Sequence, residues 1–232
     1  MNTIITGATK GIGRALALKF ASQGHSLAIC SRNSTDLQQL KNEIFDLYKT
    51  EVYIESVDIS NKEQVIQFAI NVAQQYDTID VLINNAGIFI PGTILNEQDG
   101  TLERMMDTNL YSAYYLTKAV YPLMQQSLKP HIFNMCSIAS FMAYPNGGSY
   151  AISKFALLGL TKVLRAELKT EGIRVTAIMP GATWTDSWAG ADFPEDRLMD
   201  ADDIAETIWT AYQLNRKSVV EEIIIRPQLG DL

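Results

Sequence analysis

Short apolar segments of strand length alternate with longer amphipathic segments of helix length along this whole chain, and few folds accept that order. Apolar runs at residues 2–6, 26–30, 51–57, 80–84, 131–137, 174–179 and 222–225 read as strands. Between them, residues 11–23, 33–49, 60–75, 102–128, 149–170 and 202–215 carry helical periodicity. Gly24 and Gly172 stand where helices should stop, Ser34 or Asn33 and Ser60 or Asn61 where they should start, and a break is expected near Asn109. A Pro- and Gly-bearing loop covers residues 87–100. Strand-helix alternation of this kind predicts a parallel sheet with right-handed crossovers and helices on both faces. With no linker, repeat or low-complexity tract, the expectation is an α/β, doubly wound sheet of about seven strands in a single domain spanning residues 1–232. Ligands of such sheets bind beyond the carboxyl ends of the strands, where the strand order reverses.

Charge and cysteine content narrow the function classes. A net charge of −7 argues against a protein that grips a phosphate backbone, so no nucleic-acid partner is expected. The two cysteines, Cys30 and Cys136, fall in strand-like runs and read as buried free thiols, which suits a reducing compartment. No leader-like segment opens the chain and no apolar run reaches the ~18 residues of a membrane span, so a cytoplasmic location with no membrane partner is expected. His25 and His131 lie far apart and near no ligand cluster; they read as ordinary packed or exposed residues, and no metal site is expected.

Thr6-Gly7-Ala8-Thr9-Lys10-Gly11-Ile12-Gly13 follows the first strand and opens the first helix. Glycines let the backbone turn tightly and approach a pyrophosphate, whose charge the helix N-terminus favours. Gly7, Thr9, Lys10, Gly11, Ile12 and Gly13 are therefore expected cofactor contacts, although three residues rather than one separate the first two glycines. After the second strand an NAD site usually offers a carboxylate to the ribose 2′-hydroxyl. Here Ser31 and Arg32 stand instead, and the first acid is Asp36. A guanidinium pairs a phosphate in bidentate fashion, so Arg32 with Lys10 predicts NADP(H) over NAD(H). Asp58 can bond an adenine amino group or cap the next helix. Asn84-Asn85-Ala86-Gly87 ends the fourth strand, placing Asn85, Ala86 and Gly87 beside the expected adenosine or in a plain asparagine turn.

Tyr150 and Lys154 are four residues apart on a predicted helix, so they share one face. An ammonium beside a phenol favours the phenolate. Moving a phenol from ~10 to neutrality takes roughly 4 kcal/mol of differential interaction. Such a pair can give a proton to a carbonyl oxygen or take one from an alcohol.

Together these residues resemble the short-chain dehydrogenases/reductases over essentially the whole length. Gly7, Gly11, Gly13, the Asn84-Asn85-Ala86-Gly87 stretch, Asn109, Ser137, Tyr150, Lys154 and Pro180-Gly181 occur in that family's order, with Ser137 thirteen positions before Tyr150. The resemblance implies a Rossmann-like fold and a catalytic set of Asn109, Ser137, Tyr150 and Lys154. In it Ser137 holds the substrate carbonyl, Tyr150 is the general acid, and Lys154 bonds the nicotinamide ribose and lowers the Tyr150 pKa. Asn109 interrupts its helix and holds a water that relays protons to Lys154. Pro180 and Gly181, with Thr183 or Thr185, meet the nicotinamide carboxamide.

Substrate walls are expected from residues 138–148 and 182–199, the second a candidate lid carrying Trp184, Trp188 and Phe193. Its charges are acidic (Asp186, Asp192, Glu195, Asp196) except for Arg197, which argues against a strongly anionic substrate. A small ketone or aldehyde, or a 3-hydroxy acid on the alcohol side, is the first expectation. A 3-oxoacyl-acyl-carrier-protein reductase is the alternative, although Thr170-Glu171 stand where that branch often has a base and the Glu221-to-Pro227 ending lacks its double glycine. An NADPH-sensing regulator without turnover is the remote alternative. The helices around residues 105–124 and 155–168 are apolar on most sides, and the family commonly pairs them between subunits, so a homodimer or homotetramer is expected.

Overall fold

The computed structural model describes residues 1–185 and 197–231. Seven strands form one sheet: β1 (Asn2–Thr6), β2 (Ser26–Ser31), β3 (Val52–Ser56), β4 (Val81–Asn84), β5 (His131–Met135), β6 (Arg174–Pro180) and β7 (Glu222–Ile225). Their spatial order is β3-β2-β1-β4-β5-β6-β7, every pair parallel. The order reverses between β1 and β4, so the crevice beyond their carboxyl ends is where a ligand is expected.

Alternation along each strand assigns side chains to two cores. Ile5, Leu27, Ile29, Ile83 and Phe133 face α1 (Gly11–Ser22), α2 (Ser34–Tyr48) and α7 (Ala201–Gln213). Ile4, Ala28, Cys30, Leu82, Ile132 and Val175 face the other way, toward α3 (Lys62–Gln75) and α5 (Ser112–Met124). On that side α6 (Gly148–Leu168) brings Leu157 and Leu158 against Cys136, Ala177 and Met179. Each such large aliphatic side chain taken from water contributes roughly 1.5–3 kcal/mol, which is why both faces must be covered. The central strands are buried on both sides and read as continuous apolar runs, whereas the edge strands β3 and β7 are partly exposed.

The helix expected over residues 102–128 is neither continuous nor broken. It comprises α4 (Thr101–Met106), a π-turn at Asp107–Tyr111, and α5. The Ser112 amide reaches back five residues to the Asp107 carbonyl, so the turn is widened by one residue around Asn109. Asn33 and Asn61 supply the expected caps of α2 and α3. Cys30 and Cys136 are buried free thiols, and burial pushes the Cys30 thiol up to about 12. Among the described residues, no helix is long and apolar enough to cross a membrane.

Candidate active site

The glycine turn leaves β1 at Thr6 and is built for close backbone approach. Gly7 and Gly11 have φ of 64° and 49°, a region that penalises side chains. A Cβ on Gly13 would collide with the Gly7 carbonyl oxygen and lie 2.6 Å from Asn85 Nδ2. No side chain caps α1 at Lys10, and no acid stands in its first turn. In α2 and α3, by contrast, Asn33 and Asn61 take the first amides. The start of α1 thus presents backbone donors and a positive dipole end to an anion, and its contours suit a pyrophosphate.

The Asn85-Ala86-Gly87 stretch turns out to brace this cradle. The Asn85 and Ala86 amides donate to Thr6 Oγ1 at 3.1 and 3.0 Å. Asn85 Nδ2 donates to the Thr6 and Gly7 carbonyls at 2.9 and 3.1 Å. At the tip of β2, Ser31 Oγ donates to the Asn33 carbonyl (3.3 Å), while Arg32 is exposed and accepts from Ser56 Oγ on its carbonyl (3.0 Å). Asp58 is exposed and accepts from the Ser60 amide (3.1 Å) and hydroxyl (2.7 Å). It organises a turn, whereas the α3 cap is Asn61. Thr9 and Ile12 are half-buried along the glycine turn.

Beyond β6, Thr183 Oγ1 donates to the Gly181 carbonyl (3.1 Å), and Thr185 comes so close that a Cβ on Gly11 would lie 2.8 Å from its Cγ2. The segment after Pro180-Gly181 therefore passes over the glycine turn. Its two described ends are tied together, the Trp184 amide donating to the Met199 carbonyl (2.8 Å) and the Met199 amide to the Ala182 carbonyl (3.1 Å). Most of the expected lid, including Asp186, Trp188, Asp192, Phe193, Glu195 and Asp196, lies outside the described residues.

Ser137, Tyr150, Lys154 and Asn109 converge past β5. Ser137 opens a short 3-10 turn (Ile138–Ser140), where its Oγ accepts from the Ala139 amide (3.1 Å) and its amide donates to Ser140 Oγ (3.1 Å). This fixes the Ser137 side chain, which stands near enough to the Tyr150 phenol to favour its ionised form. Lys154 Nζ donates to the Met135 carbonyl at 2.7 Å and lies 5.7 Å from the Tyr150 ring centre. Asn109, almost wholly buried, accepts from the Ile88 amide (2.8 Å) and donates to the Ile88 carbonyl (3.0 Å) and Ser153 Oγ (2.9 Å). Gly87 sits between the two: a Cβ there would stand 3.2 Å from Asn109 Oδ1 and 3.5 Å from Lys154 Nζ.

The electrostatics reverse one expectation. Burial pushes the Tyr150 phenol above its ordinary value; the Ser137 hydrogen bond opposes this, and the neighbouring Cys136 thiol adds to the rise. Burial also lowers the Lys154 ammonium, to about 8. Proximity to a cation predicts a lowered phenol, but burial dominates and the Lys154 ammonium is turned to a backbone carbonyl.

Sequence reasoning missed a third wall, the loop after β4. Phe89, 42 % exposed, packs edge-on to Tyr150 with ring centres 4.9 Å apart. Glu97 accepts from the Ser149 amide (2.9 Å) and hydroxyl. With 52 positions between Glu97 and Ser149, no local pattern could announce this contact.

A family model described as short chain dehydrogenase matches residues 1–194. Sepiapterin reductase of Chlorobaculum tepidum is 34 % identical over 237 aligned positions, covering 99 % of this chain and 97 % of the relative. An uncharacterised oxidoreductase of Staphylococcus saprophyticus is 31 % identical over 224, covering 97 % and 96 %. Among solved structures, an alcohol dehydrogenase from the archaeon Thermococcus sibiricus complexed with 5-hydroxy-NADP superposes with a TM-score of 0.93 at 25 % identity, covering 100 % of this chain and 98 % of that one. A metagenomic short-chain oxidoreductase in complex with NADP superposes at 0.86 with 28 % identity, covering 99 % and 98 %.

Proposed function

The chain belongs to the short-chain dehydrogenase/reductase family, and from that premise we propose that it reduces a small ketone or aldehyde to its alcohol, with Tyr150 as proton donor. The family match and the NADP-bound relatives make it an NADP-dependent oxidoreductase. The observation that carries the finer reading is that Tyr150 and Lys154 share one turn of α6, with Lys154 Nζ 5.7 Å from the Tyr150 ring centre and Ser137 near the phenol.

NADPH supplies the hydride when bound. The uncapped start of α1 and the Gly7-Gly11-Gly13 turn hold the pyrophosphate, with Thr9 and Ile12 alongside. Arg32 and Lys10 neutralise the 2′-phosphate; Ser31, Asp58, Ala86 and Gly87 border the adenosine, and Asn85 holds that rim in shape. Pro180, Gly181, Thr183 and Thr185 receive the carboxamide end. Lys154, anchored on the Met135 carbonyl, orients the nicotinamide ribose. Ser137 donates a hydrogen bond to the substrate carbonyl oxygen. Tyr150 passes its proton to that oxygen as the carbon gains the hydride, which yields the neutral alcohol. Replenishment of the Tyr150 proton runs through Lys154 and a water held at Asn109. A phenol raised by burial stays protonated at neutral pH, the form in which it can donate to a carbonyl oxygen.

The test is NADPH consumption against a panel of small ketones, aldehydes, sepiapterin and β-ketoacyl thioesters, with Tyr150→Phe alongside. Turnover of a free carbonyl that vanishes in the variant supports the proposal. Preference for carrier-type thioesters transfers it to the acyl-carrier reading, and tight NADPH binding with no turnover to the sensor reading.

The same reading includes a homodimer or homotetramer. A shallow groove on the outer faces of α5 and α6 is lined by Leu110, Tyr111, Tyr114, Tyr115, Ala156 and Leu160, and Tyr111 and Tyr114 are exposed. Light scattering at micromolar concentration reporting only monomer overturns that part.

A further inference from the structure

The helix that carries Tyr150 begins in an unusual way. Its N-cap, Gly147, offers no side chain to the first amides. A carboxylate from a distant loop takes that place: Glu97 Oε1 accepts from the Ser149 amide at 2.9 Å, and Oε2 accepts from the Ser149 hydroxyl. A negative charge against the first turn of a helix is favoured by the dipole, and hydrogen bonds to a carboxylate are roughly twice as strong as neutral ones.

The surrounding backbone is shaped to admit this carboxylate. Gly148 has φ of 35°, and any Cβ on it would overlap Glu97 Oε1 and the Gly92 carbonyl oxygen. Asn146, two residues earlier, is held at φ 61°, a left-handed conformation that asparagine tolerates better than most side-chain-bearing residues. Its carbonyl accepts from the Gly92 amide at 3.1 Å, a second tie between the same two segments. Ser149, on which the carboxylate closes, is only 2 % exposed. The loop held here is the one whose Phe89 ring packs edge-on to Tyr150.

We propose that Glu97 is a positioning residue for Tyr150: its carboxylate fixes the first turn of α6 and the loop of Phe89 as one unit, and thereby sets the phenol against Ser137. This rests on Tyr150 being the proton donor. Glu97 acts through its hydrogen bonds to Ser149, the residue immediately before Tyr150. The physical demand is severe, because a misplacement of about 1 Å in a reacting group can cost on the order of 100-fold in rate.

The experiment compares Glu97→Ala and Glu97→Gln with the unaltered chain, by steady-state kinetics on the best carbonyl of the panel and by hydrogen exchange of the α6 first-turn amides. Glu97→Ala is expected to lower kcat by about thirtyfold, with the KM for NADPH changed by less than about twofold. Exchange at Ser149 and its neighbours should accelerate by about tenfold or more, while the sheet amides keep their rates. Glu97→Gln keeps an acceptor for the Ser149 amide and should recover kcat to within about threefold of the original. Three results overturn the inference: an unchanged kcat in Glu97→Ala, a kcat loss matched by lost NADPH affinity in both variants, or unaltered first-turn exchange. Tyr150→Phe separates this from the underlying reading. If that variant is inactive while Glu97→Ala is normal, only the positioning role fails; if Tyr150→Phe turns over normally, the donor assignment fails. With no substrate in hand, the exchange measurement alone decides whether Glu97 holds the turn.

Discussion

The two ends of the sheet both bury ionisable groups, and to opposite purposes. At the carboxyl ends, Tyr150 and Lys154 are shifted by burial yet border the crevice beside the glycine turn. At the amino ends, His25 and His131 are shifted by the same cause and lead nowhere. His25 accepts or donates at 2.8 Å to Thr3 Oγ1 and is boxed in by Phe20, Trp209 and Tyr212, with ring centres 5.3–5.5 Å away. His131 bonds Thr176 Oγ1 at 2.7 Å and stacks on Phe133. The Lys129 and Arg174 cations sit 4.6 and 5.6 Å from the Tyr212 ring centre; after burial, Arg174 and Lys129 push the proton off His131, and Lys129 also acts on His25. Perturbed titration is common to both ends, so it does not mark function by itself; a perturbed group becomes chemically useful when a reactant can reach it.

The sharpest way to break this contrast is at Tyr150. Tyr150→Phe keeps the ring against Phe89 and removes the proton, so kcat should fall by at least ~10³-fold while the melting temperature moves little. A variant that stays active, or one that unfolds, would erase the distinction between the two ends.

Acid should expose the other end. Burial holds His25 down at about 4 and His131 well below its ordinary value. Both stay neutral in the fold, whereas unfolded histidine takes up a proton near ~6.5. The unfolded chain therefore binds more protons below that pH. Stability is complete above ~6.5 and declines as pH falls, by roughly 1.4 kcal/mol per unit for each histidine until its folded value is passed. Two pH units thus shift the folding equilibrium about 100-fold or more. Urea midpoints measured from pH 7 to 4.5 test this slope. His25→Gln, which keeps a partner for Thr3, should roughly halve it and leave kcat unchanged.

Arg32→Ala is expected to weaken NADPH binding about tenfold or more and leave NADH nearly unaffected, as titration of cofactor fluorescence would report. Equal losses for both cofactors would place Arg32 outside the 2′-phosphate site. The smallest effect concerns pH at the catalytic end. Reductive kcat/KM should stay flat from pH 6 to 7.5 and decline a fewfold above about 8, where Lys154 loses its charge. An optimum above pH 9 would mean that Lys154 holds its proton far more tightly than its burial implies.

The fold was legible because the central strands are buried on both faces and the crossover helices are amphipathic, so the order of apolar runs dictates the topology. Ser137, Tyr150 and Lys154 were legible through spacing and resemblance. What escaped depends on chain segments that meet only after folding. At the π-turn, the Asn109 amide clasps both polar groups of Ile88, 21 positions away. Glu97 reaches across 52 positions to Ser149. The direction of the Tyr150 shift was misjudged because a pairwise charge argument carries no measure of burial, and burial is the larger influence here.

The widened turn at Asp107–Tyr111 has a bearing on how this chain tolerates changes in length. In an ordinary helix, losing one residue rotates everything downstream by about 100° and throws an apolar stripe off its core. Here the turn already holds one residue more than an α-helical path needs. A single-residue deletion inside it would restore regular winding, keep α4 and α5 facing the cores they face now, and still withdraw Asn109 from Ile88 and Ser153. Such a chain is expected to fold and purify like its parent while Asn109 no longer meets Ile88 and Ser153, so at this position residue number matters alongside residue identity.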